Sequence, residues 1–408
     1  MAPRAGRVRG AVRPLDRESR RRARIRAGCP SAIASPRLVV HADWGSHPRK
    51  RWIAVAVRTR GRHRVVAVEP AGDVAAFLER VRDAALATPP VLLGFDFPIG
   101  LPRAYASRAG IHAFREALGR LGAGRWSRFY DPADALDEVS PGRPFYPMTC
   151  RARGEKPQAP WLARLELTRQ ELLRECERGN GARPDAGNLF WTVGGKQPGK
   201  AAIHGWRNVL APLVRDRAVR AAIWPFDGAL APLLATADIV LAETSPAEVY
   251  GWLGVRFARR DGGKRSRAAR AANAAAVRRW LARAGVSLAP AVARDLRDGF
   301  GDRADGEDRF DAFVGVLGML AVLNGRPTGE PDDRAVRSAE GWILGAVGSA
   351  RNAGARAMAG LSLGAWQARR SATSRRTTSR AGSPRPSSRA SSSAPATPSR
   401  GPAGRASR

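Results

Sequence analysis

The chain has 408 residues and a formal net charge of +34, from 70 Lys and Arg against 36 Asp and Glu. Cys29, Cys150 and Cys176 lie far apart with no CxxC pair, which argues against a disulfide framework and a zinc site and makes a reducing cytoplasm the expected compartment. No apolar run approaches the ~20 residues of a membrane helix, and no hydrophobic segment follows Arg20–Arg22, so neither a membrane partner nor a signal peptide is expected.

The charge is uneven. Met1–Pro36 carries ten Arg against Asp16 and Glu18, with few large apolar residues, and reads as a disordered basic extension. Val347–Arg408 has twelve Arg and no acid, in Ser/Arg/Pro/Ala-rich sequence that cannot bury a core. Removing the +8 of the first segment and the +12 of the second leaves +14 on Arg37–Ala346. Three segments follow: 1–36 as extension, 37–345 as one large domain, and 346–408 as tail. The basic domain favours a polyanionic partner.

Leu38–Trp44 is the first expected strand. Arg51–Val57 and Arg64–Glu69 alternate partly, as half-covered antiparallel strands do, and their short polar joins (Gly45–Lys50, Arg60–His63) predict a meander of hairpins. Asp73 is placed to cap a helix through about Leu86, with Val74, Phe77, Leu78 and Val81 on one face. Val91–Pro102 (VLLGFDFPIGLP) is a strand buried on both faces that stops at its prolines, so Asp96 sits at the carboxyl end of a central strand. Ligands collect at that edge of an open α/β sheet.

Residues 103–237 interrupt the sheet as a mainly helical insertion, with helices expected near Ile111–Leu121, Trp161–Arg178 and Ile203–Trp224. Its aromatics, among them Trp126, Phe129, Trp161, Trp191 and Trp206, alternate with Arg and Lys and suit stacking on single strands, although most read as insertion core. Asp238–Glu243 is the fifth strand, again ending in a carboxylate. Pro246 opens a short helix through Trp252, Lys264–Ala284 is a strongly basic helix, Gly306–Leu323 is the last core helix, and Glu340–Gly345 closes the domain.

Four acids stand apart. Asp43 ends strand one, Asp96 ends strand four, and Asp308 and Asp311 share a helix face at i, i+3. Gly315 and Gly318 continue that face, each costing the helix ~1 kcal/mol against Ala, which a close approach to the sheet would explain. In a sheet of order 3-2-1-4-5 this helix can bring all four carboxylates together. Clustered carboxylates repel unless a cation is present, and such oxygen ligands suit Mg²⁺ or Mn²⁺, as one ion or two. Glu243 is either a further ligand or the partner of Lys264 or Arg265. Lys264 and Arg265, at a helix start, are candidate ligands for a substrate phosphate. His41, His47, His63, His112 and His204 have no metal-ligand spacing.

Strand-end Asp43, GFDFPIGLP at Gly94–Pro102, AETSPAEVY at Ala242–Tyr250, GEDRFDAFVG at Gly306–Gly315 and EGWILG at Glu340–Gly345 resemble the domain-of-unknown-function family 429, whose members are predicted nucleases of the ribonuclease H-like superfamily. The resemblance covers Arg37–Gly345. It implies an RNase H-like α/β fold and, through a more distant likeness to Holliday-junction resolvases, metal ligation by Asp43, Asp96, Asp308 and Asp311. Those resolvases carry Glu where this chain has Asp96.

The expected function is metal-dependent hydrolysis of nucleic-acid phosphodiesters by those four residues. The alternatives are a nucleic-acid-binding module without chemistry, or a phosphotransferase acting on a nucleotide or other small phosphorylated molecule. The latter lacks a glycine-rich phosphate loop.

Overall fold

The computed structural model describes residues 35–146, 158–179, 184–194, 197–258 and 262–348. The expectations for residues 1–34 and 349–408, and for Cys29 and Cys150, lie outside them. Among the described residues no helix is long and apolar enough to cross a membrane.

The sheet is built on β1 (Leu38–Trp44). β2 (Arg51–Thr59) pairs antiparallel with β1, and β3 (Arg62–Pro70) antiparallel with β2. The β2–β3 turn is made by Arg60 and Gly61, both at positive φ, the combination a two-residue hairpin requires. β4 (Val91–Phe95) runs parallel to β1, and β6 (Ile239–Glu243) parallel to β4. Two short edge strands were not expected: β5 (Ala221–Ile223) beside β6, and β7 (Ser287–Leu288) beside β3. The five-stranded sheet is therefore corrected to a mixed seven-stranded one, in the order β5-β6-β4-β1-β2-β3-β7, flanked by helices. Ala221–Ile223 was hidden in a stretch read as helix, and a two-residue strand carries no periodicity to detect.

The pleat divides β1 and β4 between two cores. Val40, Ala42, Leu93 and Phe95 face α1 (Val74–Ala87) and the insertion. Asp73 caps α1, its Oδ1 accepting from the Ala76 N–H at 2.9 Å. Val39 and Leu92 face the opposite core. Alternation puts His41, Asp43, Gly94 and Asp96 on that second side.

The insertion contains short helices: α2 (Arg103–Arg108), α3 (Phe114–Leu118), α4 (Gln158–Leu165), α5 (Pro198–Gly205), α6 (Ala211–Arg215) and α7 (Leu230–Thr236). Trp161–Arg178 is not one helix. It stops at Glu166, whose φ is 54°, and resumes as a 3₁₀ turn at Glu175–Glu177. Ile203–Trp224 divides into α5, a π-turn at Trp206–Leu210, α6 and β5. Of Ile111–Leu121 only α3 is α-helical. Trp126, Phe129, Trp161 and Trp206 are buried in the core shared with the sheet.

Beyond β6 come α8 (Pro246–Leu253), α9 (Arg267–Ala272), α10 (Ala274–Ala284), α11 (Pro290–Asp298), α12 (Gly306–Leu323) and α13 (Arg334–Ala339). The expected basic helix Lys264–Ala284 is broken twice. Ser266 Oγ caps α9 at the Ala269 N–H, and the Asn273 side chain bonds the Arg256 and Ala269 carbonyls between α9 and α10. α12 is apolar nearly all round and buried along most of its length, as a core helix must be. It crosses β1 and β2 and packs on α8.

Two glycines permit that approach. A Cβ on Gly315 would lie 2.2–2.3 Å from the His41 ring, and one on Gly318 would lie 2.3 Å from Val249 Cγ2 on α8. Gly315 thus meets the sheet as expected, whereas Gly318 meets a helix. Gly315→Ala should destabilise the fold by about 1–3 kcal/mol through overpacking. Gly251→Ala, at an exposed helical site with nothing within 4 Å, should stabilise it by up to about 1 kcal/mol. Denaturant melts of the two variants check the pair.

Candidate functional site

β1 and β4 are parallel neighbours with Ala42 opposite Phe95, so the next residue of each chain, Asp43 and Asp96, emerges at the same sheet edge on the same face. Their carboxyls act on each other's ionisation. The Trp44 N–H donates to Asp96 Oδ1 at 2.8 Å, favouring the charged form of Asp96. Burial, followed by the charges of Asp96 and Asp311, pushes Asp43 well above the ordinary carboxylate range. Burial also raises Asp96, against the bonds from Asp43 and Trp44.

α12 supplies the other acids. Asp311 is buried; burial raises its pKa while Lys264 and Tyr250 oppose the shift. Lys264 Nζ donates to Asp311 Oδ2 at 2.5 Å, and the Tyr250 hydroxyl donates to Oδ1. Asp308, also raised by burial, is paired with Lys50 Nζ at 2.9 Å. Asp43 feels the charges of Asp308 and Asp311, and Asp311 feels that of Asp96. The structure thus joins all four aspartates, from three separated segments, into one electrostatic cluster.

Lys264 faces these acids, bridging Asp311 and Glu307, the latter at 2.9 Å. Burial alone would lower its pKa, but Asp311 and Glu307 hold it above the ordinary value. Arg265 is largely exposed, 3.8 Å from Glu307. Glu307, Lys50 and Tyr250 were missed in the sequence. Glu307 had a signal, because its i, i+4 spacing to Asp311 puts both on one helical face. Lys50 lies in a hairpin join, and Tyr250 ends the quoted motif AETSPAEVY with no spacing that marks its hydroxyl for the site.

Glu243 is engaged elsewhere. Its two oxygens accept from buried Arg174 at 2.6 and 2.7 Å, and Oε2 also accepts from the Ile99 N–H at 2.6 Å. Arg174 further bonds Glu177 Oε1 at 2.9 Å and the Ile99 and Glu340 carbonyls at 3.1 Å. The Glu340 carboxylate accepts from the Arg103 and Glu175 N–H groups. Neither expected partner, Lys264 nor Arg265, pairs with Glu243. It anchors the insertion to the edge of the sheet.

His41, fully buried against Gly315, is lowered to about 3 by burial, and neither ring nitrogen makes a well-formed hydrogen bond. His204 on α5 lies between Trp44 Nε1 (3.0 Å) and an Arg51 guanidinium nitrogen (2.8 Å), and burial and Arg51 lower it to about 4. Both rings are neutral at physiological pH.

Among the described residues, no three His, Cys, Asp or Glu side chains stand ready as a metal-binding group. Asp308 and Asp311 are turned to lysines, and Asp43 and Asp96 to each other. The donor set is nonetheless of the right chemistry: hard carboxylate oxygens whose charge is held in check by burial and by ammonium groups. Comparison with family models, curated proteins and solved structures finds no match.

Two outcomes follow. Because Asp43 has a folded pKa above its unfolded value, it costs nothing below about pH 4, where both states are protonated, and costs more as pH rises toward the folded value. Asp43→Asn should therefore raise the cation-free Tm at about pH 7 and leave it nearly unchanged at about pH 3.5; scanning calorimetry at both values checks this. Arg174→Met should cost about 3–5 kcal/mol by depriving buried Glu243 of its guanidinium partner, while Arg265→Ala stays within about 0.5 kcal/mol in the same denaturant assay.

Proposed function

We propose that this chain is a divalent-cation-dependent phosphodiesterase acting on nucleic acid, built on an RNase H-like sheet. The observation that carries the proposal is the gathering of Asp43, Asp96, Asp308 and Asp311 into one site where burial opposes the ionisation of all four and repulsion by the other aspartates adds to it at Asp43 and Asp311. Stability alone does not favour such a cluster, since each buried carboxylate costs free energy unless a cation compensates it. The resemblance of five motifs to domain-of-unknown-function family 429 points to the same reading, as does the succession of three antiparallel strands and two parallel ones around β1.

In this proposal the four aspartates would hold one or two Mg²⁺ or Mn²⁺ ions. When bound, such an ion supplies Lewis acidity that activates water and stabilises the leaving oxygen. The chain's own groups have distinct tasks. Asp43, whose ionisation burial and its acidic neighbours oppose, would have to be ionised to serve as a ligand. Tyr250, through its hydroxyl, fixes the orientation of Asp311. Lys264 and Lys50, now held by Asp311 and Asp308, lie where an ammonium group can take a phosphate oxygen instead. Arg265, exposed beside Glu307, adds a further cation at the rim. The wide spacing of Cys29, Cys150 and Cys176, with no CxxC pair, suits a reducing compartment, and the cytoplasm is the proposed location.

Purified protein should cleave at least one of single-stranded, duplex, hybrid or branched substrates in Mg²⁺ or Mn²⁺ and none in chelator. Asp96→Asn should reduce the rate by more than the about 10–100-fold that follows loss of a metal ligand's hydrogen-bond partner, with its melting transition intact. Salt-sensitive binding that ignores both chelator and Asp96→Asn, without cleavage, would instead identify a binding module.

A further inference from the structure

A groove of about 580 Å³ lies between the β1–β2 join and the loop that precedes α12, with Pro48, Arg49, Lys50, Trp52, Pro70 and Arg303 among its walls. Its lining is mostly apolar, yet Arg49, Lys50 and Arg303 are exposed. Trp52 stands directly opposite Asp43 in the β1–β2 register, so its half-buried indole shares the sheet face of the acid cluster. The Arg309 guanidinium lies over that indole at 5.3 Å and steadies it. Lys50 links groove and cluster, its Nζ 2.9 Å from Asp308 and 3.4 Å from the Ala304 carbonyl.

We infer that this groove seats one unstacked nucleobase of a single-stranded segment next to the phosphate that the aspartates process. The assignment rests on the phosphodiesterase reading and names its substrate class. An indole and two prolines match the flat, weakly polar face of a base, and any base presents such a face. Cations on the rim match the phosphates on either side of it, and Asp305 is the one carboxylate in the lining. A paired base inside a duplex keeps its faces covered by its neighbours and cannot enter without leaving the stack. The groove therefore selects single strands, or the frayed ends and loops of folded ones, without reading sequence.

The test uses the full chain and fluorescently labelled single-stranded oligonucleotides of DNA and RNA, with duplexes of the same sequence, followed by anisotropy in chelator so that binding is read apart from cleavage. Trp52→Ala should weaken single-strand binding by about 10–100-fold and leave duplex binding within a factor of about two. Because Trp52 packs against the core, the double variant Arg49→Glu/Arg303→Glu, at exposed positions, provides the second arm; it should weaken single-strand binding at least about tenfold and flatten its salt dependence. Wild-type protein that does not bind single strands, or wild-type affinity in both variants, overturns the assignment. If the wild-type protein cleaves nucleic acid while both variants bind and cut single strands normally, the groove fails and the phosphodiesterase reading stands. If the variants lose binding but the wild-type protein cleaves nothing, the groove stands and the catalytic reading fails.

Discussion

Repulsion between carboxylates governs this molecule. Three segments far apart in the chain each deliver acids to one edge of the sheet, where burial makes every negative charge expensive. The protein meets the problem with what it has at hand. Asp43 holds its proton more tightly than a free carboxyl, Lys264 lies against Asp311, and Lys50 lies against Asp308. Each of these is a positive charge or a proton set against an aspartate. A divalent cation would do the same for several of them at once.

The fold is arranged to make that convergence unavoidable. Strand parity sends Asp43 and Asp96 to the face covered by α12, and the parallel pairing of β1 with β4 brings their ends level. α12 then has to lie close, and Gly315 beneath the His41 ring is what lets it. The buried, uncharged His41 thus serves packing, while its neighbour two residues on carries the site. Arg174 performs a separate task. By joining Glu243, Glu177 and the Glu340 carbonyl, it fixes the insertion to the strand ends, while His204 meets the Trp44 indole on the sheet face opposite the acids.

Much of this was legible in the sequence, for identifiable reasons. Continuous apolar runs marked β4 and β6, alternation marked the first hairpins, and the i, i+3 pair on a helix marked Asp308 and Asp311. What stayed hidden depended on tertiary partners. Glu243 looks the same at a strand end whether it binds a metal or an arginine, and Arg174 lay in a stretch whose apolar spacing imitates a helix. β5 and β7 are too short to show a period. Lys50 and Tyr250 enter the site only because a hairpin join and α8 fold over it. Nor could the sequence place Trp52, which reads as an ordinary half-buried strand residue until its register against Asp43 is known.

The central claim is that these four aspartates form one binding site for a hard divalent cation. Titration calorimetry of Mn²⁺ into the purified protein, repeated with Asp96→Asn and with Asp311→Asn, tests it most directly. The account predicts saturable uptake of one or two ions by the wild-type chain and marked weakening in both variants. No uptake by the wild-type chain, or uptake that both variants retain unchanged, would contradict it.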